Sequence, residues 1–251
     1  MRLSFVVPAY NEEAYLPACL ESILEQTRSL DPVLTEILVV NNASTDGTRE
    51  VAMRYPGVTV VDEPRKGLTF ARQAGFAAST GDLIANVDSD SRLTPGWVAM
   101  VLKAFEEERE LAALSGPVVY YDLTARQQAS VQVFYLLAFG TYVLNRYVLR
   151  VGSMVQGGNF VTSRKALEAI GGFNLGISFY GEDTDIARRL SAVGEVRFTF
   201  GLKMFSSARR LKKEGMLTMA GRYAINYFWT TFFKRPFTNH HIDIREAAAG
   251  E

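Results

Sequence analysis

Short apolar runs and amphipathic stretches alternate through the first 108 residues, and that alternation leaves few folds open. Residues 3–7, 36–40, 58–61 and 83–87 read as strands. Between the first two, residues 12–26 carry Tyr15, Leu16, Cys19, Leu20, Ile23 and Leu24 at the spacing of one helix face. Residues 48–55, 68–80 and 96–108 read as further helices. Strands linked through helices pair in parallel and need cover on both faces. The prediction is an α/β fold with a mostly parallel central sheet and helices on both faces. Right-handed crossovers then bring the loops after strands one, two and four to one edge of the sheet. These are residues 8–13, 41–48 and 88–92.

The third of these loops carries Asp88-Ser89-Asp90 directly after an apolar run. Ligands of open α/β sheets bind at that end of the strands. Two crowded carboxylates repel each other unless one is protonated or a cation lies between them. Mn2+ or Mg2+ shared with a diphosphate satisfies them, because both ions take oxygen ligands. Taken alone, the pair equally fits a loop with two solvated acids. A second acidic group, Gly181-Glu182-Asp183-Thr184-Asp185, opens a helix over residues 186–193, where acids also serve as dipole partners.

Four segments in order are Pro8-Ala9-Tyr10-Asn11-Glu12-Glu13, Asn41-Asn42-Ala43-Ser44-Thr45-Asp46-Gly47-Thr48, Asp88-Ser89-Asp90 and Gly181-Glu182-Asp183. Together they resemble the family-2 glycosyltransferases of the GT-A fold over residues 3–210. The resemblance implies one GT-A domain over 1–210, with a nucleotide-binding half (1–110) and an acceptor half (111–210). Residues 211–251 would form a C-terminal helical extension and tail. The activity implied is inverting, metal-dependent transfer of a sugar from a nucleotide sugar, a UDP sugar first, to a glycan or lipid-linked acceptor in cell-envelope polysaccharide or glycolipid synthesis.

The same resemblance assigns roles. Pro8, Ala9, Tyr10 and Glu12 would hold the nucleoside. Asn42 stands where relatives carry a base-reading acid, and an amide both donates and accepts. Lys66 would join the donor site, and Arg72 could brace the acids or a phosphate through its planar fork. Asp88 would face ribose or a metal-bound water, and Asp90 would bind the metal. Asn159, after Gly157-Gly158, falls in the stretch that lines the donor-sugar pocket. Asp183 would be the general base, with Glu182 positioning acceptor or base and Asp185 a cap. Some relatives supply a third metal ligand as histidine near residues 206–210. This chain has Ser206-Ser207-Ala208-Arg209-Arg210 there, so Arg209 or Arg210 could hold the diphosphate instead. A folded-back tail could deliver His240 or His241, although an exposed polar tail fits as well.

A sugar-nucleotide-forming nucleotidyltransferase would want a glycine-rich basic loop after strand one, where this chain has Pro8-Ala9-Tyr10-Asn11. A non-catalytic nucleotide-sugar-binding relative would be expected to lack Asp90 or Asp183, and both are present. Charges balance at 27 and 27, which gives no bulk case for nucleic acid. The balance is uneven, since residues 197–251 hold ten Lys/Arg and four Asp/Glu. That part could meet phosphates or an anionic membrane, or be a solvated surface. Cys19, the only cysteine, sits on an apolar helix face, the pattern of a buried inert thiol in a cytoplasmic protein. Phe5-Val6-Val7 is too short for a signal peptide. Residues 131–149 and 223–237 are apolar and aromatic but interrupted before a membrane-spanning length. They fit core helices, a homodimer contact or a peripheral membrane contact on the cytoplasmic face.

Overall fold

The computed structural model describes residues 1–28, 30, 34–149, 153–177, 179–238 and 245. The first half follows the predicted alternation: β1 (Leu3–Ala9), α1 (Leu16–Thr27), β2 (Thr35–Asn41), α2 (Thr48–Met53), β3 (Val58–Asp62), α3 (Leu68–Ala78), β4 (Leu83–Val87), β5 (Ser91–Leu93) and α4 (Trp97–Glu107). The second half adds β6 (Leu111–Ser115), β7 (Val118–Tyr120), α5 (Ala125–Val143) with a π-helical continuation at Leu144–Leu149, and β8 (Asn159–Ser163). Then come α6 (Arg164–Ala169), α7 (Glu182–Leu190), β9 (Glu195–Phe198), β10 (Met204–Ser206), α8 (Arg209–Glu214) and α9 (Met216–Phe233).

Among the described residues, seven strands form one sheet in the order β3-β2-β1-β4-β8-β6-β9. The pairs β1–β2, β2–β3, β1–β4 and β6–β9 are parallel, and β8 runs antiparallel to both β4 and β6. Alternate residues face opposite layers. Leu3, Phe5, Val7, Leu83 and Ala85 pack under α1 and α4, while Val6 and Ile84 pack under α3, α6 and α7. Each such large side chain contributes on the order of 1.5–3 kcal/mol by leaving water. Both layers being filled explains why these strands read as continuous apolar runs.

Two helix starts differ by several residues from the sequence reading, α7 beginning at Glu182 and not at residue 186. Helix α1 starts at Leu16, not at residue 12, and Asn11 does not cap it. Pro17, near its start, suits the first turn. Asn11 instead takes positive φ (51°), and its Oδ1 accepts from Thr45 N–H at 2.8 Å, which pins the first loop to the second. Cys19 is buried as expected, and burial pushes its thiol up.

A small sheet, β5-β10-β7, sits at the C-terminal edge of β4. Its register sets Ser206 opposite Ser91 and Tyr120, so one strand of chain 116 residues away lies beside Asp90. Helices α5 and α8–α9 pack on a third cluster containing Val118, Val131, Tyr135, Tyr142 and Phe198. No helix among the described residues is long and apolar enough to cross a membrane.

Candidate active site

The three loops predicted to converge do so. A cavity of about 370 Å³ is lined by Pro8, Ala9, Tyr10, Asn42, Lys66, Arg72, Asp88, Asp90, Glu182 and Asp183. Residues 90 and 183, far apart in sequence, therefore face one chamber. Two glycines permit this. Gly158 has φ +77°, and any side chain there would collide with the Asp88 carboxylate. Gly181 has φ +82° and caps α7 with Thr230 of α9 hard against it. The helix consequently starts with Glu182 and Asp183 in its first turn, where the peptide dipoles favour negative charge.

Two arginines organise the acids. Arg72 is fully buried; it lies 2.5 Å from Glu182 Oε1 and 3.3 Å from Asp88 Oδ1. It thus ties the end of β4 to the start of α7. Arg209 Nε donates to Asp90 Oδ2 at 3.1 Å, and its Nη2 donates to Glu12 Oε1. Arg245 Nε also donates to Glu12, at 2.6 Å, and Arg245 lines the cavity. Asp183 Oδ1 accepts from Thr184 N–H at 2.8 Å. Asp185 is spent on Arg188 and Arg189, as a structural residue would be.

Burial shifts these groups. Asp90 is pushed up to about 6 by burial, against Arg209 and with Asp88 and Glu12 adding. Glu182 is pushed up to about 7 by burial, against Arg72, with Asp183 and Asp88 adding. Burial also raises Asp183. The folded chain therefore keeps protons that the unfolded chain releases near 3.8 and 4.5. Their stabilising contribution is complete below about pH 4 and is lost as pH rises through 6 and 7. Carboxylates held low, such as Glu36 and Asp122, change nothing between pH 5 and 8. The ligand-free protein in chelator is expected to lose on the order of 2–4 kcal/mol from pH 5 to pH 8, several degrees in melting temperature. Thermal melts across that range check it; a flat or rising profile contradicts the assignment.

The residues fit a divalent cation. Asp88 and Asp90 offer oxygen donors, and Glu12 Oε2 is buried without a partner, leaving anionic capacity beside Asp90. Among the described residues no group of three or more His, Cys, Asp or Glu side chains forms a metal cage. An ion here would take its remaining ligands from phosphate and water, as Mg2+ and Mn2+ do.

Three sequence assignments change. Asn159 is fully buried beneath the sheet edge, away from the cavity. Its Oδ1 accepts from Trp97 Nε1 at 3.1 Å, and its Nδ2 donates to the carbonyls of Gly116 and Leu202 at 3.0 and 2.8 Å. Asn42 borders the cavity, but its Nδ2 donates to Glu63 O and Arg65 O and its Oδ1 accepts from Gly67 N–H. That amide braces the loop before α3. Glu12 lies behind the wall, bound to Arg209 and Arg245. Lys66 stays in the site, with Nζ donating to the Tyr10 hydroxyl at 2.8 Å. His240 and His241 lie outside the described residues. Tyr120, Gln156, Tyr223 and Arg245 also line the cavity and carried no sequence signal, since each arrives through tertiary packing.

The family model described as Glycosyl transferase family 2 matches residues 4–171. It spans the first three motifs and ends ahead of Glu182 and Asp183. The chondroitin synthase of Pasteurella multocida (strain Pm70) is 34% identical over 116 residues, 45% of this chain and 12% of that protein. Of eight curated relatives, this chain spans between 12% and 46% of their length. Among solved structures, the mannosyltransferase PcManGT from Pyrobaculum calidifontis in complex with GDP-Man and Mn2+ aligns with TM-score 0.68 at 22% identity, over 93% of this chain and 63% of that one. Glucosyl-3-phosphoglycerate synthase from Mycobacterium tuberculosis with Mn2+ and UDP-glucose aligns with TM-score 0.61 at 22% identity, over 92% and 78%. At that identity the two structures speak to the fold, which is GT-A.

Proposed function

The chain belongs to glycosyl transferase family 2, and from that premise we propose that it moves a sugar from a nucleoside-diphosphate donor to an acceptor hydroxyl with inversion at the anomeric carbon. One observation carries the reading: Asp90 and Asp183 line the same cavity, with Arg72 holding Asp88 and Glu182 between them. The nucleoside would lie along Pro8–Tyr10 beside Lys66. Asp88 and Asp90 would hold Mn2+ or Mg2+. When bound, such an ion supplies positive charge to the departing diphosphate. Arg209, already on Asp90, is placed to add a second cationic contact to that group.

Asp183 would accept the acceptor's proton as its oxygen attacks the anomeric carbon. The new C–O bond forms as the bond to the β-phosphate oxygen breaks, and the electron pair leaves on the nucleoside diphosphate. Base and leaving group on opposite sides of one sugar give in-line displacement and inversion. Polysaccharide or glycolipid assembly is the setting proposed, in keeping with the partial likeness to a chondroitin synthase. UDP and GDP donors both remain candidates, because Asn42 is committed to the loop and leaves base recognition to backbone groups.

Incubation with UDP-, GDP- and dTDP-sugars and Mn2+ tests the reaction class. Release of nucleoside diphosphate supports transfer, and release of pyrophosphate would assign a nucleotidyltransferase. Asp90→Ala is expected to weaken Mn2+-dependent donor binding by tenfold or more, by about the cost of a lost metal contact. Calorimetric titration showing unchanged donor affinity in that variant would remove Asp90 as a ligand.

A further inference from the structure

Helix α9 buries polar side chains and exposes apolar ones, and α5 is apolar on its outward side as well as its inward one. The residues of α9 that face inward and are buried include Asn226, Thr230 and Thr231. Its outward side carries Leu217 (89% exposed) and, at the three- and four-residue spacing of one helix face, Ile225, Phe228 (54%) and Phe232. Phe228 and Phe232 touch each other, with ring centroids 4.7 Å apart. On α5 the inward residues include two tyrosines, Tyr135 and Tyr142, whose hydroxyls bond Gln156 and Val196 O. Its outward side shows Val133, Leu136, Leu137 (69%) and Val143. Water does not select such an arrangement. The two helices are neighbours, since Asn145 Nδ2, just after α5, donates to the Tyr227 hydroxyl at 2.7 Å.

Charge identifies what covers this surface. Residues 123–149 contain Arg126 and Arg146 and no carboxylate. Residues 207–238 contain seven Lys/Arg and one acid, Glu214. That acid's side chain is buried, paired with Arg210 and Arg222. Lys234 and Arg235 stand exposed at the aromatic end of α9. Arg146 pairs with Glu195, Lys212 with Asp122, and Arg209 turns into the site. The other exposed cations of these two stretches are Arg126, Lys213, Lys234 and Arg235, and a second copy placed on this face would bring those like charges together. An anionic lipid surface answers both the apolar stripe and the cations around it.

We infer that α5 and α9 lie on an anionic membrane surface, with their outward apolar side chains in the headgroup layer. The inference rests on the sugar-transfer reading for its consequence. Met219 and Tyr223 of α9 line the cavity, so a surface-lying α9 brings the acceptor side of the site to the lipid. The acceptor class that fits is a hydroxyl carried on a lipid head group.

The test is flotation of the full chain with phosphatidylcholine vesicles, with and without phosphatidylglycerol. Donor hydrolysis with Mn2+ is measured alongside in the absence of acceptor. Co-flotation that requires phosphatidylglycerol and falls tenfold or more in Phe228→Glu/Phe232→Glu, with hydrolysis unchanged, supports the inference. Leu136→Glu/Leu137→Glu serves as the second variant should the first fold poorly. Absence of co-flotation with intact hydrolysis overturns the surface contact and leaves sugar transfer standing. A dimer in solution that both variants dissociate, without vesicle binding, overturns it in favour of a second copy. Co-flotation without hydrolysis of any donor supports the surface and sinks the transfer reading instead.

Discussion

Replacing Asp183 with Asn is expected to lower kcat/KM for sugar transfer by about 10³-fold while leaving nucleotide affinity within about twofold. The amide keeps the size of the carboxyl and can still accept the Thr184 N–H bond through its oxygen. It cannot take a proton at neutral pH. The arginines of the site bond Glu182, Asp88, Asp90 and Glu12, so the donor side keeps its contacts when Asp183 changes. Burial raises the Asp183 carboxyl above its ordinary range, which makes it a better proton acceptor than a solvated aspartate. The acid limb of the kcat/KM profile should therefore lie above the usual carboxylate range and vanish in the variant. Steady-state rates with calorimetric UDP and GDP titrations decide it. Parallel loss of rate and nucleotide affinity would make Asp183 a donor-site residue, not the base.

The sheet was legible because its strands are covered on both sides and carry unbroken apolar runs, as at Leu83–Val87. The meeting of Asp90 and Asp183 was legible because the motifs follow one another in the order of the resembled family. Side-chain direction was not. Asn42 and Asn159 carry the right functional group in the right stretch, yet both amides are consumed, that of Asn42 by backbone groups and that of Asn159 by the Trp97 indole and backbone carbonyls. For Asn159 these partners lie 42 to 62 residues away. Arg209 and Arg245 reach Glu12 across 197 and 233 residues, a pairing no local pattern encodes. The segments around 131–149 and 223–237 stayed open between core and interface for the same reason. Their composition is apolar either way, and only the packed fold shows that α9 turns its Asn and Thr inward and its Phe residues out.

Arg72→Met should cost the most stability of any single change in the site, on the order of 3–5 kcal/mol at pH 8 and about 10 °C in melting temperature. Methionine fills much of the volume but leaves Glu182 buried with no cation, while Asp88, more open, can turn to water. The charged form of Glu182 is the penalised one, so removing Arg72 raises that carboxyl further still. At pH 5 the variant holds Glu182 protonated, and the deficit should shrink markedly. Arg72→Lys keeps the charge but not the fork, and a single ammonium holds two carboxylates on different elements less rigidly than two guanidinium nitrogens do. It should fold better than the Met variant and still transfer sugar poorly, because Asp88 and Glu182 are no longer fixed to each other. Arg72 also lies 5.3 Å from the centroid of the Phe160 ring, so packing is the competing explanation. The two separate cleanly. A charge role predicts that Arg72→Met/Glu182→Gln recovers stability lost by Arg72→Met and that the loss depends on pH. A packing role predicts an equal deficit at pH 5 and pH 8 and no recovery from the second substitution.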